Sequence, residues 1–526
     1  MKWYYLSSVA ALTLATSITS AAHAQSKLLE VDPTLIEENQ PAPPPAAKPA
    51  KKGKIVKGPA EAPPPPAWID TVTIDGYVEG GVAINFNQPF NKLNWGHLYT
   101  DRANWPTFNS LTVTIQRPLD PKAEGYDFGF KLQPQIGEDM RYNHLTGFLD
   151  YAIHSRTQIG FLEANALAHL PWKSVVSEGG IDVKAGIFPT YNGAELMYAK
   201  DNLFYSHSYI FNFGPFLHTG VMVTNHVRDW LDVYSGVTTG VNNFIGYPGQ
   251  PNSSPSFHGG FGLNLLDGNL TVLAIVHHGP QNSSQGRFNW QYTPPDFAAA
   301  GLYWPNLTLQ GIPGACVCNP NSANRTFTNL TTTWKATENL TFITDIAYNR
   351  ESGWNPISYT GFPANWYGGV DQVLGAVVPN WPGVVALPQH SQGADSYAVA
   401  QYVSYKVNDL FKLNARVEFY RDNKNFFVAG FPGYFDSVAA FHGYACPSCI
   451  AQPANVGTSY LGLTAGVTIT PDLPKMPIIT GMILRPELRW DQAVNGTTPF
   501  FRNNGNGRSS SQGMFNMDVI IPFSLL

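Results

Sequence analysis

The 526 residues carry a formal net charge of −5 and are only 13% charged but 13% aromatic, with 48 Gly, 42 Pro and 13 Trp. About a quarter charged is usual for a soluble domain, and beyond the leader no apolar run approaches the ~18 residues of a membrane helix. The composition therefore leaves two classes, an exported all-β protein or a barrel that crosses a membrane with strands.

The chain opens with Lys2, an apolar stretch from Val9 to Ile18, and Ala22-His23-Ala24 before Gln25. That is the pattern of a signal peptide over residues 1–24, which marks an exported protein. Residues 25–67 include PAPPPAAKPAKKGKIVKGPAEAPPPP, rich in Pro, Ala and Lys and nearly free of aromatics. Such a segment cannot bury enough apolar surface to fold, so it reads as a disordered periplasmic tether. Its lysines (Lys48, Lys51, Lys52, Lys54, Lys57) suit a solvated spacer, with contact to an anionic cell-wall polymer as the alternative. The domain from 68 to 526 keeps 25 basic and 32 acidic residues and no basic aromatic patch, which argues against nucleic acid as a partner.

That domain begins VTIDGYVEGGVAINF, from Val72 to Phe86, with apolar residues or glycine at every even position. A strand sends successive side chains to opposite faces, so this one has a greasy face and a wet face. The alternation recurs at Leu111 to Gln116, Tyr126 to Ile136, Phe411 to Phe419, Leu461 to Ile469, Leu484 to Trp490 and Phe515 to Phe523. About sixteen such segments fit between Val72 and Phe523, each near the ~10 residues of a tilted membrane strand.

The connections alternate in length. Short ones fall at Asn225 to Asp229, Asp267-Gly268, Ala336 to Asn339 and Val407 to Asp409; long ones at 87–108, 188–215, 279–324, 350–394, 423–459 and 492–510. Bacterial barrels pair short periplasmic turns with long external loops and an even strand number. The expected fold is all-β, a transmembrane antiparallel β-barrel of about sixteen strands whose greasy face meets outer-membrane lipid. Phe86, Trp334, Tyr348, Tyr405, Phe419, Trp490 and Phe523 fall near strand ends on that face, as interfacial girdles do.

The segment AGIFPTYNGAELMYAKDNLFYSHSYIFNFGPFLHTG carries a G-x-F-x-T-x-x-G-x-E pattern (Gly186, Phe188, Thr190, Gly193, Glu195). An N-x-x-Y-S (Asn202, Tyr205, Ser206) and an H-T-G (His218, Thr219, Gly220) follow. With Arg416, Glu418, Arg421 and Asp422, and the R-P-E-x-R-x-D run from Arg485 to Asp491, it resembles the OmpL-like group, the second family of beta-barrel porins. Thr239-Gly240-Val241 departs from that group's Asn-Gly-Trp. The resemblance spans about residues 72–523 and implies an outer-membrane channel. By position and resemblance, the loop from Phe188 to Pro215 implies a constriction that enters the lumen with Glu195, Lys200 and Asp201. Trimers are common among such porins, and no interface signature marks one here.

Strand parity turns Asp75, Glu79, Lys131, Glu163, Asp182 and Lys184 inward, together with a ladder of alternating sign: Arg416, Glu418, Arg485, Glu487, Arg489 and Asp491. Charges in a lumen must be wet or paired, so the ladder either guides solutes or stiffens the wall. Cys316, Cys318, Cys446 and Cys449 lie in two long loops and suit disulfides in an oxidising compartment, with the pairing open. His277-His278 without nearby carboxylates reads as packing rather than a metal site. Neither His218 nor His258 has a nucleophile and orienting acid spaced for catalysis, so no cofactor, metal or enzyme activity is expected. The expected function is an outer-membrane porin passing small hydrophilic solutes. The alternatives are a substrate-selective channel, for sugars for example, and a loop-plugged structural or adhesive barrel.

Overall fold

The computed structural model describes residues 68–525 apart from 121–122, 146–147, 150–155, 246–254, 281–323, 352–393, 424, 426, 430–456, 475 and 504–506. The leader, the tether and all four cysteines lie outside the described residues. Sixteen spanning strands follow one another: β1 (Thr73–Asn85), β2 (Pro106–Arg117), β3 (Asp127–Gly137), β4 (Gln158–Leu170), β5 (Gly180–Pro189), β6 (Leu217–Arg228), β7 (Leu231–Thr238) and β8 (Ser256–Leu265). The second half comprises β9 (Leu270–Pro280), β10 (Asn324–Lys335), β11 (Leu340–Glu351), β12 (Ala394–Lys406), β13 (Phe411–Asp422), β14 (Thr458–Ile469), β15 (Ile483–Leu484 continuing as Glu487–Ala493) and β16 (Ser511–Ser524). Each pairs antiparallel with the next, and β1 pairs with β16 from Asp75 opposite Ser524 to Asn85 opposite Met514, which closes the barrel. Closure removes the open edges that lipid could not hydrate.

The break in β15 falls at Arg485-Pro486. Pro486 has no N–H to give the ladder, though its carbonyl still accepts from Val467 at 3.0 Å. Short turns lie at one end, including 266–269, where Leu266, Asp267 and Gly268 all take positive φ. The strand ends joined by long connections lie at the other end; these connections span 86–105, 138–157, 190–216, 239–255, 281–323, 352–393, 423–457 and 494–510. Two of these, 138–157 and 239–255, are not among the long connections read from the sequence. The expected turn at Asn225 to Asp229 instead belongs largely to β6, which runs to Arg228 through a register shift after His226.

The side-chain period is as expected. Val78, Ile84 and Phe86 point outward, while Tyr77, Glu79, Ala83 and Asn85 are buried inward. Outward faces of the other strands are likewise apolar, with Trp334, Tyr348, Tyr405 and Trp490 exposed near their ends. The interior differs from an open tube. Loops 86–105 (L1), 138–157 (L2) and 190–216 (L3) bring Trp95, Tyr99, Met140, Tyr142, Phe204, Tyr209, Phe211 and Phe216 into one buried cluster with the inward Tyr402, Tyr420 and Tyr460. Tyr209 and Tyr460 rings lie 5.0 Å apart and Tyr99 and Tyr142 5.2 Å. Each phenylalanine withdrawn from water contributes roughly 1.5–3 kcal/mol, enough collectively to hold these loops inside.

Candidate channel constriction

L3 leaves β5 at Pro189 and crosses the lumen in three short steps. Gly193 and Ala194 give their N–H groups to Asn329 on β10 and Asp345 on β11, each at 2.9 Å. A single turn, Ala199–Asp201, then reaches the short-turn half of the barrel, where Ala199 N–H meets the Tyr77 hydroxyl at 3.2 Å. The last step is one helical turn, Tyr209–Asn212, whose Ser208 hydroxyl accepts from Phe211 N–H at 3.1 Å and so caps it.

The ladder residues face inward, as parity requires, and they meet this loop. Arg416 Nη1 lies 2.6 Å from Glu195 Oε1 and donates to the Ser206 carbonyl at 2.9 Å. Glu487 accepts from the N–H groups of Tyr205 and Ser206 at 3.0 and 3.2 Å, and Glu418 accepts from Tyr209 N–H at 2.7 Å. Arg485 donates to the carbonyls of Ala199 and Asn202, and it pairs with Asp518 on β16. Arg489 donates to the His207 carbonyl at 2.7 Å and pairs with Asp491 at 2.9 Å. Its Nη2 also lies 2.8 Å from Glu418 Oε1, a charge contact without hydrogen-bond alignment.

Arg416, Glu418, Arg489 and Asp491 are 2% exposed or less, so they bind protein rather than face an open channel. Glu195, at 8%, is likewise an anchor. Lys200 and Asp201 differ. They pair with each other at 2.9 Å and keep about a quarter of each side chain exposed (26% and 27%). Lys131 bridges to Glu163 at 2.8 Å and stands over the Tyr198 ring, while Asp75 is half-buried beside Lys200 and Lys131. Of the predicted site residues, the solvent-touching charge is therefore at the tip of L3 rather than on the ladder.

Sequence reasoning missed that L1 packs against L3 and the late-strand ladder. His97 Nε2 sits 2.9 Å from Asp491, and Trp95 Nε1 donates to the Tyr460 hydroxyl at 3.2 Å. The one local signal is Gly96 at φ +80, where a side chain would strike the Tyr209 ring. Burial, with Arg489 beside it, holds the His97 ring at about 4, so it is neutral at physiological pH. Burial alone would raise the Glu195 carboxyl, yet Arg416, His207 and the Ser208 N–H outweigh it and hold it at about 2. On L2, burial pushes Asp139 up to about 7 against its bond from Asn109.

The family motif supplies both partners of this docking. Glu195, Tyr205 and Ser206 from the loop meet Arg416, Glu487 and their neighbours from the late strands. A sequence model described as Putative beta-barrel porin-2, OmpL-like, matches residues 71–523. The chain belongs to this family. As an OmpL-like porin it is a porin-type outer-membrane barrel. It is similar to the outer membrane channel DcaP of Acinetobacter baumannii, with 10% identity over 86% of this chain and 97% of that one and a TM-score of 0.44. OmpT of Vibrio cholerae in its trimer form gives 9% identity, 86% and 99% coverage and a TM-score of 0.41. OprD from Pseudomonas aeruginosa gives 11%, 87%, 94% and 0.37. No curated protein matches it by sequence.

Proposed function

We propose that this OmpL-like porin is a narrow outer-membrane channel through which small hydrophilic solutes diffuse passively. The observation that carries the reading is L3 crossing the lumen and leaving Lys200 and Asp201 as partly exposed charge at its tip. A polar wall of both signs replaces part of a solute's hydration without strongly favouring one ionic sign. On this reading residues 1–24 export the chain and residues 25–67 tether the barrel in the periplasm. The disulfides of Cys316, Cys318, Cys446 and Cys449 pin external loops, and a homotrimer is the expected assembly.

Swelling of liposomes holding the folded protein tests this directly. Monosaccharides and small amino acids should enter, and oligosaccharides should not. Equal swelling with all of them would contradict a narrow passage. A second reading, a barrel closed by its loops, is favoured by the apolar packing of L1, L2 and L3 in one buried cluster. No swelling with any solute would select it. Entry of one solute, saturating with concentration, would select a substrate-specific channel.

A further inference from the structure

Outside the constriction, three histidines meet on the inner wall near the long-loop end. His258 on β8 and His277 on β9 are direct cross-strand partners. His218 on β6 reaches them across β7, whose Gly236 lies opposite His258 on one side and Met222 on the other. The His218 ring lies 4.2 Å from that of His258 and 4.9 Å from that of His277. One ring nitrogen from each lies within 4.8 Å of the other two, and all three residues are 0% exposed.

Ring packing alone does not account for the nitrogens. An imidazole has a donor and an acceptor, and burying either unpaired is unfavourable. His258 Nδ1 and both nitrogens of His277 are buried without a hydrogen-bond partner. His258 Nε2 accepts a long bond, 3.3 Å, from the Tyr191 N–H, which leaves the proton on Nδ1, and an ion would take the place of one or the other. His218 is already oriented: its Nδ1, 3.1 Å from the Gly240 carbonyl, donates there, and its Nε2 meets only the Thr190 hydroxyl in a long contact of 3.3 Å that an ion would replace. Metal-binding histidines are commonly held by such a backbone bond.

We propose that His218, His258 and His277 form a transition-metal site in the barrel wall, for an ion of the zinc, nickel or cobalt type. Metal–nitrogen bonds of about 2.0–2.1 Å in tetrahedral array place ligand nitrogens about 3.4 Å apart, so the rings, stacked at 30° and 28° to that of His218, turn as well as close, by up to about 1.4 Å, on binding. The cluster offers three imidazoles and no carboxylate. Magnesium and calcium, which need oxygen ligands, are therefore rejected. Thr190 and Tyr191 at the root of L3 lie against His218 and His258, so the ion would join β6, β8 and β9 beside the base of that loop.

A second group, His169, Asp182, His226 and Asp232, is a contrast. Both nitrogens of His226 are taken by carboxylates, at 3.1 and 2.6 Å. The test is cobalt(II) added to the full chain folded in detergent, then desalted. One ion per chain should remain, with the intense visible absorption of a tetrahedral site in which water completes the three histidines. Zinc should displace it and magnesium should not. His277→Gln should abolish retention, while H278Q, at an exposed neighbour bonded to Thr326, should keep it. Folding of each variant is read from heat-modifiable gel mobility, and His218→Gln repeats the test if His277→Gln does not fold. Native protein that retains no cobalt, or retention unchanged in His277→Gln, would overturn the site.

Discussion

Glu195 and Asp201 lie six residues apart on one loop and have different environments. Glu195 is buried against Arg416, whereas Asp201 touches solvent. Their charges should therefore do different work. Asp201→Asn should move the reversal potential in a salt gradient toward anions, most clearly at low ionic strength where screening is weak. Glu195→Gln should leave the reversal potential nearly fixed and change the size and steadiness of the current. A larger selectivity shift from Glu195→Gln than from Asp201→Asn would show the assignment to be reversed. The same environments give a pH signature. Glu195 is held at about 2, below its ordinary 4.5, so its docking stabilises fully above about pH 4.5 and is lost as pH falls through about 2. His97, held neutral down to about 4 from 6.5, acts in the same sense: its contribution is present above 6.5 and lost toward 4. Asp139 on L2 opposes them, since its raised value makes burial easier as pH falls below 7. Protease cleavage within L3 should accelerate below pH 4.5. The Arg416→Ala variant should cleave readily at neutral pH, because removing one partner of a buried pair costs about 3–5 kcal/mol.

At the scale of elements, L3 depends on small residues in the wall as well as on charge. Gly81 on β1 faces the Tyr205 ring, and a Cβ there would come within 2.5 Å of it. Gly462 on β14 leaves room in the same way for the Glu418 side chain. Gly81→Val should push Tyr205 off Asn109, where its hydroxyl now donates at 2.9 Å, and raise L3 proteolysis without lowering barrel heat stability. Unchanged proteolysis would mean that L3 does not depend on that approach. Much of this architecture was legible in the chain. The period of two, from Val72 to Phe86 and in β13, placed Glu79, Arg416 and Glu418 inward, and the alternating connection lengths placed the loops on one end. What was not legible was the partner of each inward charge. A ladder such as Arg485, Glu487, Arg489 reads the same whether it faces solute or the backbone of a loop nearly three hundred residues away. L1 was missed for the same reason, because nothing local in Trp95-Gly96-His97 names Tyr460 or Asp491 as its contacts. The histidine triad draws on three strands, so only the register could assemble it.

For the whole molecule, the barrel and its tether should be separable. Residues 25–67 have no core-forming pattern, so deleting them should leave heat-modifiable mobility and thermal stability unchanged. A deleted chain that no longer folds in detergent would make that segment part of the barrel. The central claim is that L3, docked by Glu195 and the late-strand charges, sets the width of the passage. Single-channel conductance in planar bilayers tests it most directly, comparing the full chain with a Glu195→Gln, Arg416→Met double variant that removes both charges of the anchor. The intact protein should give small ohmic steps, and the variant larger or noisier ones as L3 swings free. Large steps from the intact protein, or steps identical in the variant, would contradict the claim.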